Sequence, residues 1–331
     1  MNFNGRLTAA ALAVTAAGMT SANAFEFGYA GWAQKPGITL GGGTAGAPPP
    51  GLYSFNQAFT YQSNIVGPGA PNVGGAATPV HAAVEASGLL WVPGWTFLGA
   101  TYDAVIVQPW IMADVGSPVN IQQAGMHNTY IVPAELSWKL GDSGFFIKTG
   151  LGIYMPNGSI SGPAGLSNVG NPWWTFQPEF VVSYLKDGWN LTANLFQEIN
   201  TSNSITGYRS GDVLHAEFTA TKTIGNWTVG PIAYYAGQVT NDTSSANGAI
   251  NVNRYNIWAG GGLVGYNFGP AALTVWATHE FSSNASGGTA GPPGIDTASI
   301  TKGYSVFANL SFRLWAPDEP ATPPKRPMFT K

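Results

Sequence analysis

The sequence predicts an all-β fold, a transmembrane antiparallel up-and-down β-barrel of about 12 strands behind a signal peptide. Three observations carry that expectation. Residues 173–242 alternate with the period of a strand: Trp174, Phe176, Phe180, Val182 and Tyr184 fall on one side, and Thr175, Gln177, Glu179 and Ser183 on the other. The same pattern repeats from Trp189 to Asn200 and from Leu214 to Thr221. Connections alternate too, the tight Lys186-Asp187-Gly188 and Gly225-Asn226 reversals with the long polar Asn200 to Gly211 loop, as in an outer-membrane barrel. Finally, only 9% of the 331 residues are charged, although the chain has 17 Phe, 12 Trp and 13 Tyr. A water-facing exterior is hard to build from that composition, and no run of about 18 apolar residues supplies a helical span.

The formal charge of −3 argues neither for nucleic acid nor for a polyanionic partner, and zero cysteines exclude disulfides and thiolate chemistry. Residues 1–24 read as a secretory signal peptide: Arg6, a short apolar run from Leu7 to Met19, and the small-residue site Ala22-Asn23-Ala24. Residues 25–50 change character to aromatics, then glycines, then prolines, a density that does not make a ladder strand. Two readings are open, a periplasmic tether or a plug folded back into the lumen, where Phe25, Phe27, Tyr29 and Trp32 would find a dry place.

The barrel is expected over residues 51–315. Tyr53, Phe55, Phe59 and Tyr61 share one face of its first strand, opposite Ser54, Asn56, Thr60 and Gln62. A Gly/Pro-rich loop from Asn64 to Pro79 leads to strands at Val80 to Trp91 and Trp95 to about Ile111. The fourth, Thr129 to Leu140, puts Tyr130, Val132, Ala134, Leu136 and Trp138 outward and Glu135, Ser137 and Lys139 inward. Phe145 to Met155 follows, and then a loop over residues 156–172. After the three strands of the central stretch come Trp227 to Val239, Arg254 to Phe268, Ala272 to Phe281 and Tyr304 to Trp315. Trp91, Trp95, Trp138, Trp189, Trp227 and Trp315 stand by the short turns or the terminal end, where an interfacial aromatic girdle belongs. Residues 316–331 read as a Pro-rich periplasmic tail.

Candidate lumen residues are the inward polar ones. Glu179, Glu198, His215 and Glu217 form a wall, extended by Gln177, Asn190, Asn194 and Thr219; Glu135, Lys139 and Glu280 are also expected inside. Lys148 or Arg254 facing that wall would make a constriction that selects solutes by charge and hydrogen bonding. No Ser and His share a face at the spacing of two that wall-borne hydrolysis needs, so no catalytic residues are assigned. His215 and Glu217 share a face, but two ligands do not make a metal site, and no cofactor is implied.

Several motifs resemble a known family. They are Ala47-Pro-Pro-Pro-Gly-Leu-Tyr53, Gly152-Ile-Tyr-Met-Pro-Asn-Gly158, Asn171-Pro-Trp-Trp-Thr175, and above all the run from Tyr208 to Asp242. They are similar to the outer-membrane barrel family named for the meta-pathway of phenol degradation, itself related to the twelve-stranded channel that secretes functional amyloid. The resemblance implies export to the bacterial outer membrane, lipid around the barrel and a small-molecule solute within. It names no catalytic set, and it extends to a homo-trimer at most. The expectation is an outer-membrane channel for passive uptake of small hydrophobic or aromatic compounds. The alternative is a secretion or assembly pore for a protein partner, gated by the N-terminal segment; a lipid hydrolase and a secreted adhesin rank below both.

Overall fold

Period-two alternation with tight reversals closes into a ring of twelve antiparallel strands. They are β1 (Gly51–Val66), β2 (Pro79–Val92), β3 (Ala100–Val115), β4 (Tyr130–Lys139), β5 (Phe145–Tyr154), β6 (Thr175–Lys186), β7 (Trp189–Asn200), β8 (Val213–Ile224), β9 (Trp227–Gln238), β10 (Arg254–Asn267), β11 (Ala271–Ser286) and β12 (Ile300–Trp315). This computed structural model describes residues 26, 29, 31–72, 78–117, 120–161, 168–244, 254–287 and 298–317. The expected signal peptide, Phe25, Phe27 and the tail beyond residue 317 lie outside the described residues. Each strand pairs with its neighbours in sequence, and β1 closes the ring on β12, with Phe59 opposite Val84 of β2 on one side and Phe307 on the other. At the β6–β7 reversal Asp187 and Gly188 both take positive φ, 53° and 77°, the backbone that a two-residue turn between right-twisted strands needs.

Alternation places Leu191, Leu195, Phe218, Val264 and Leu310 on the outside, all exposed to what surrounds the barrel. Trp91, Trp95, Trp189, Trp227 and Trp315 are exposed beside the short turns, where Trp91 and Trp95 meet edge to face at 5.2 Å between ring centres.

The structure sets the direction of β1, which alternation left open, and corrects three expectations. On β1 the aromatic face turns inward: Phe59 and Tyr61 are buried, and Phe59 packs against Phe307 at 5.1 Å. The polar residues left outside satisfy one another, Ser87 donating to Asn56 at 3.1 Å and to Glu85 at 2.8 Å. On β4 the pairing with β3 and β5 shifts register between Val132 and Glu135, at Pro133, which has no N–H for the ladder. The extra residue brings Tyr130 and Val132 to the lumen together with Glu135 and Ser137. Lys139 lies at the exposed turn, 3.7 Å from Asp142, and not in the lumen. Arg254 is exposed as well, at the loop end of β10, where it donates to the Asn241 side chain at 2.9 Å; an odd-even count puts it on the outer face, because Tyr255, Ile257 and Ala259 are the buried set.

The element boundaries also move. The residues around Trp95 form a hairpin end in which Thr96 and Phe97 pair back on Thr101 and Ala100, so β3 starts later and runs longer than its hydrophobic run. A short strand, Ile121–Met126, pairs with the upper half of β3 and precedes β4 across a break at 127–129. β11 and β12 continue past their apolar segments, since beyond the membrane a ladder needs hydrogen bonds and not greasy side chains.

Candidate functional site in the barrel lumen

Residues 31–50 run through the ring from its loop end to its short-turn end and pass directly into β1. Above them, the Glu26 carboxylate accepts from Asn203 at 2.6 Å and Thr206 at 2.5 Å, and burial raises its pKa. Tyr29 meets Trp173 edge to face at 5.5 Å, and the Trp32 indole N–H donates to the Tyr255 hydroxyl at 2.8 Å.

A segment rich in glycine and proline makes no ladder, so its amides need acceptors from elsewhere. Glu198 accepts from the N–H groups of Ala33 and Gln34, at 3.3 and 2.9 Å. Glu217 accepts from Gly37 N at 2.6 Å, Thr39 N at 3.0 Å and Thr39 Oγ1 at 2.6 Å. Further down, Gly41 donates to Thr219 at 2.9 Å, Ala45 to Ser183 at 2.8 Å and Ala47 to Ser137 at 3.3 Å. All seven amides find their partners on strands β4 to β8. The fit is close: Gly37 and Gly41 take φ of 90° and 80°, and a Cβ at Gly37 would lie 2.8 Å from the Tyr234 ring.

Of the residues expected in the lumen, Glu198, His215 and Glu217 come together, all buried to 2% exposure or less. The His215 ring stacks on Phe196 at 4.5 Å, and its Nε2 lies 3.3 Å from Glu198 Oε1. Lys148 pairs with Glu135 across the β4–β5 ladder at 3.0 Å, so it faces its neighbour and not the Glu198–Glu217 pair. Gln177 and Glu179 line a cavity of about 830 Å³ beside the segment. The opposite side of that cavity is apolar, formed by Phe55 and Phe59 of β1, Val84, Ala86 and Leu90 of β2, and Val105, Val107 and Ile111 of β3.

Sequence reasoning missed Asp103, which is buried opposite Glu135 in the β3–β4 register, and the lumen aromatics Tyr61, Tyr234 and Trp276. It also passed over Lys35, whose isolation was the available signal: it is the one charged residue between Glu26 and Glu85.

A family model described as "Putative MetA-pathway of phenol degradation" matches residues 51–292. No curated protein sequence matches the chain. Among solved structures, the chain is similar to the COG4313 outer membrane channel from Pseudomonas putida F1, with a TM-score of 0.64 at 10% identity, covering 82% of this chain and 99% of that one. The translocator domain of the autotransporter NalP from Neisseria meningitidis follows at a TM-score of 0.43 and 12% identity, over 80% of this chain and 89% of that one. The TodX monoaromatic hydrocarbon channel, as its deltaS2 mutant, stands at 0.42 and 9%, over 86% and 94%.

Proposed function

The chain belongs to the MetA-pathway phenol-degradation family, whose model spans most of its barrel, and from that premise we propose that it is an outer-membrane channel admitting small hydrophobic, aromatic-sized compounds, with residues 31–50 as its plug. The observation that carries this reading is the half-apolar cavity of about 830 Å³ between the plug and strands β1 to β3. Its volume lies in the range of small-molecule sites, and its apolar residues offer a solute dispersion contacts and release of water. Glu198, Glu217 and Thr219 are engaged by the plug, and Lys148 and Glu135 by each other.

The test is uptake into proteoliposomes of toluene or phenol against a sugar of similar mass, with the complete chain and with a variant lacking residues 33–45. Faster entry of the aromatic compound through the complete chain supports the reading. Equal rates for both solutes, or no gain over empty vesicles, would sink it.

A further inference from the structure

Lys35 does not point into the apolar cavity like a stray charge. Its ammonium donates to Glu280 Oε1 at 3.0 Å and to the Tyr234 hydroxyl at 3.3 Å. It stands 4.2 Å from the ring centre of Tyr61, 4.9 Å from that of Trp32 and 5.4 Å from that of Tyr234. These are distances at which the negative face of a ring attracts a cation, and the site is buried, with Lys35 9% exposed and Glu280 1%.

Most of this box belongs to the barrel and is held together without the lysine. The hydroxyls of Tyr61 and Tyr234 each donate to Glu280 at 2.8 Å, and Gly303 N donates to the same carboxylate at 2.8 Å. Three donors fix the carboxylate from β1, β9 and β12, and two of them bring an aromatic face. A counter-charge clamped between rings is the arrangement that recognises an organic ammonium ion, by charge at one side and by ring quadrupole at the others. Among the described residues the other cation over a ring, Lys222 at 4.8 Å from Trp189, sits at an exposed turn and bonds a main-chain oxygen of Asp187.

We propose that Tyr61, Tyr234 and Glu280 form a binding site for small primary or methylated amines, and that Lys35 is its resident intramolecular ligand. An amine that reaches the lumen competes with Lys35, and losing that competition loosens the plug between its two amide clamps at Glu198 and Glu217. The proposal rests on the channel reading for the ligand's route of entry, while binding itself needs no flux.

Purified full-length protein with Lys35→Ala tests it, since the truncation leaves room for n-propylammonium, and 1-propanol is a neutral control of the same size. Tryptophan fluorescence, with Trp32 and Trp276 close to the site, reads the titration. Saturable binding of n-propylammonium but not of 1-propanol is expected, weakened about tenfold when Glu280→Gln is added. Lys35→Ala combined with Tyr61→Leu provides the same comparison should the Glu280 variant lose the heat-modifiable gel migration of a folded barrel. A folded Lys35→Ala variant that does not bind, that binds the alcohol equally, or that is indifferent to both second substitutions overturns the proposal. Negative titration with aromatic uptake intact removes the amine site alone. Positive titration without uptake removes the channel reading and leaves the site standing.

Discussion

The two walls of the lumen differ in what they offer a peptide. Strands β4 to β8 present Ser137, Ser183, Glu198, Glu217 and Thr219, and the plug amides bind there. Strands β1 to β3 present Phe55, Val84, Leu90, Val105 and Val107, which accept nothing. An unpaired buried N–H costs about 1–3 kcal/mol, so the plug lies against the wall that can satisfy it. Space is left on the other side. The plug amides thus lie on the polar half of the ring and leave the cavity toward the more apolar half, from which Gln57 of β1 reaches the segment by donating to the Ile38 carbonyl at 2.7 Å.

The strongest way to break this comparison is to take the plug away. Deleting residues 33–45 is expected to raise single-channel conductance in planar bilayers severalfold and to turn the pore toward cations. Glu198, Glu217 and Glu280 lose the amides and the lysine that now engage them, and Lys148 is already paired with Glu135. Unchanged conductance would mean that the segment does not obstruct the path.

A single residue on the polar wall should have the next largest effect. Glu217→Leu removes the acceptor of three hydrogen bonds, each worth roughly 1.5–3 kcal/mol when the acceptor is charged. Brief full openings should become at least about a thousandfold more frequent, and Glu217→Gln, which keeps one acceptor oxygen, should lie between. Equal opening rates in both variants and the parent would show that the amide clamps do not hold the plug.

The polar wall was legible before the structure because a strand's period fixes which residues share a face, and Thr175, Gln177, Glu179 and Ser183 could only stand together. Period alone does not say which face points inward. On β6 to β8 the polar set faces in, whereas on β1 the aromatic set does, because Phe59 packs on Phe307 of the neighbouring β12, which itself stacks on Trp276, and not on lipid. Pro133 was a visible sign of a break in β4, yet its effect on Tyr130 and Val132 depends on where the extra residue is absorbed. The path of the plug had no signal at all in local pattern. Its amide bonds join residues 90 to 180 positions apart, as in Ala47 to Ser137 and Gly37 to Glu217, and only Lys35 stood out as a charge that needed a partner.

The apolar wall can be tested without disturbing the plug. Val107→Asp sets a carboxylate into the greasy side of the cavity, and uptake of toluene or phenol should fall about tenfold, the loss expected for one apolar side chain's worth of contact. Ion conductance should change little, since small ions do not depend on that surface. A matching Val181→Asp change on β6, inside the ring but outside the apolar wall, should spare uptake; equal losses in both would erase the distinction between the two sides.

The smallest expected effect concerns the cap at the loop end, where the plug enters. Asp242 accepts from Tyr208 Oη at 2.6 Å, Gly211 N at 2.6 Å and Gln238 Nε2 at 2.8 Å. Burial nevertheless pushes its pKa up to about 6, and burial raises that of Glu26 as well. A carboxyl whose folded pKa lies above its ordinary value near 3.8 binds its proton more readily in the closed cap than in the open loop. Stability from this group is then fully present below the ordinary value and is lost as pH rises through about 6, with no further change above. Between pH 7.5 and pH 5 the cap should gain roughly 1 kcal/mol, raising amide-exchange protection factors in residues 201–212 about fivefold. Asp242→Asn should abolish most of that pH dependence and leave conductance through the lower lumen unaltered. Protection factors that fall on acidification would reverse the sign, and would mean that the three donors to Asp242 outweigh the cost of burying its charge.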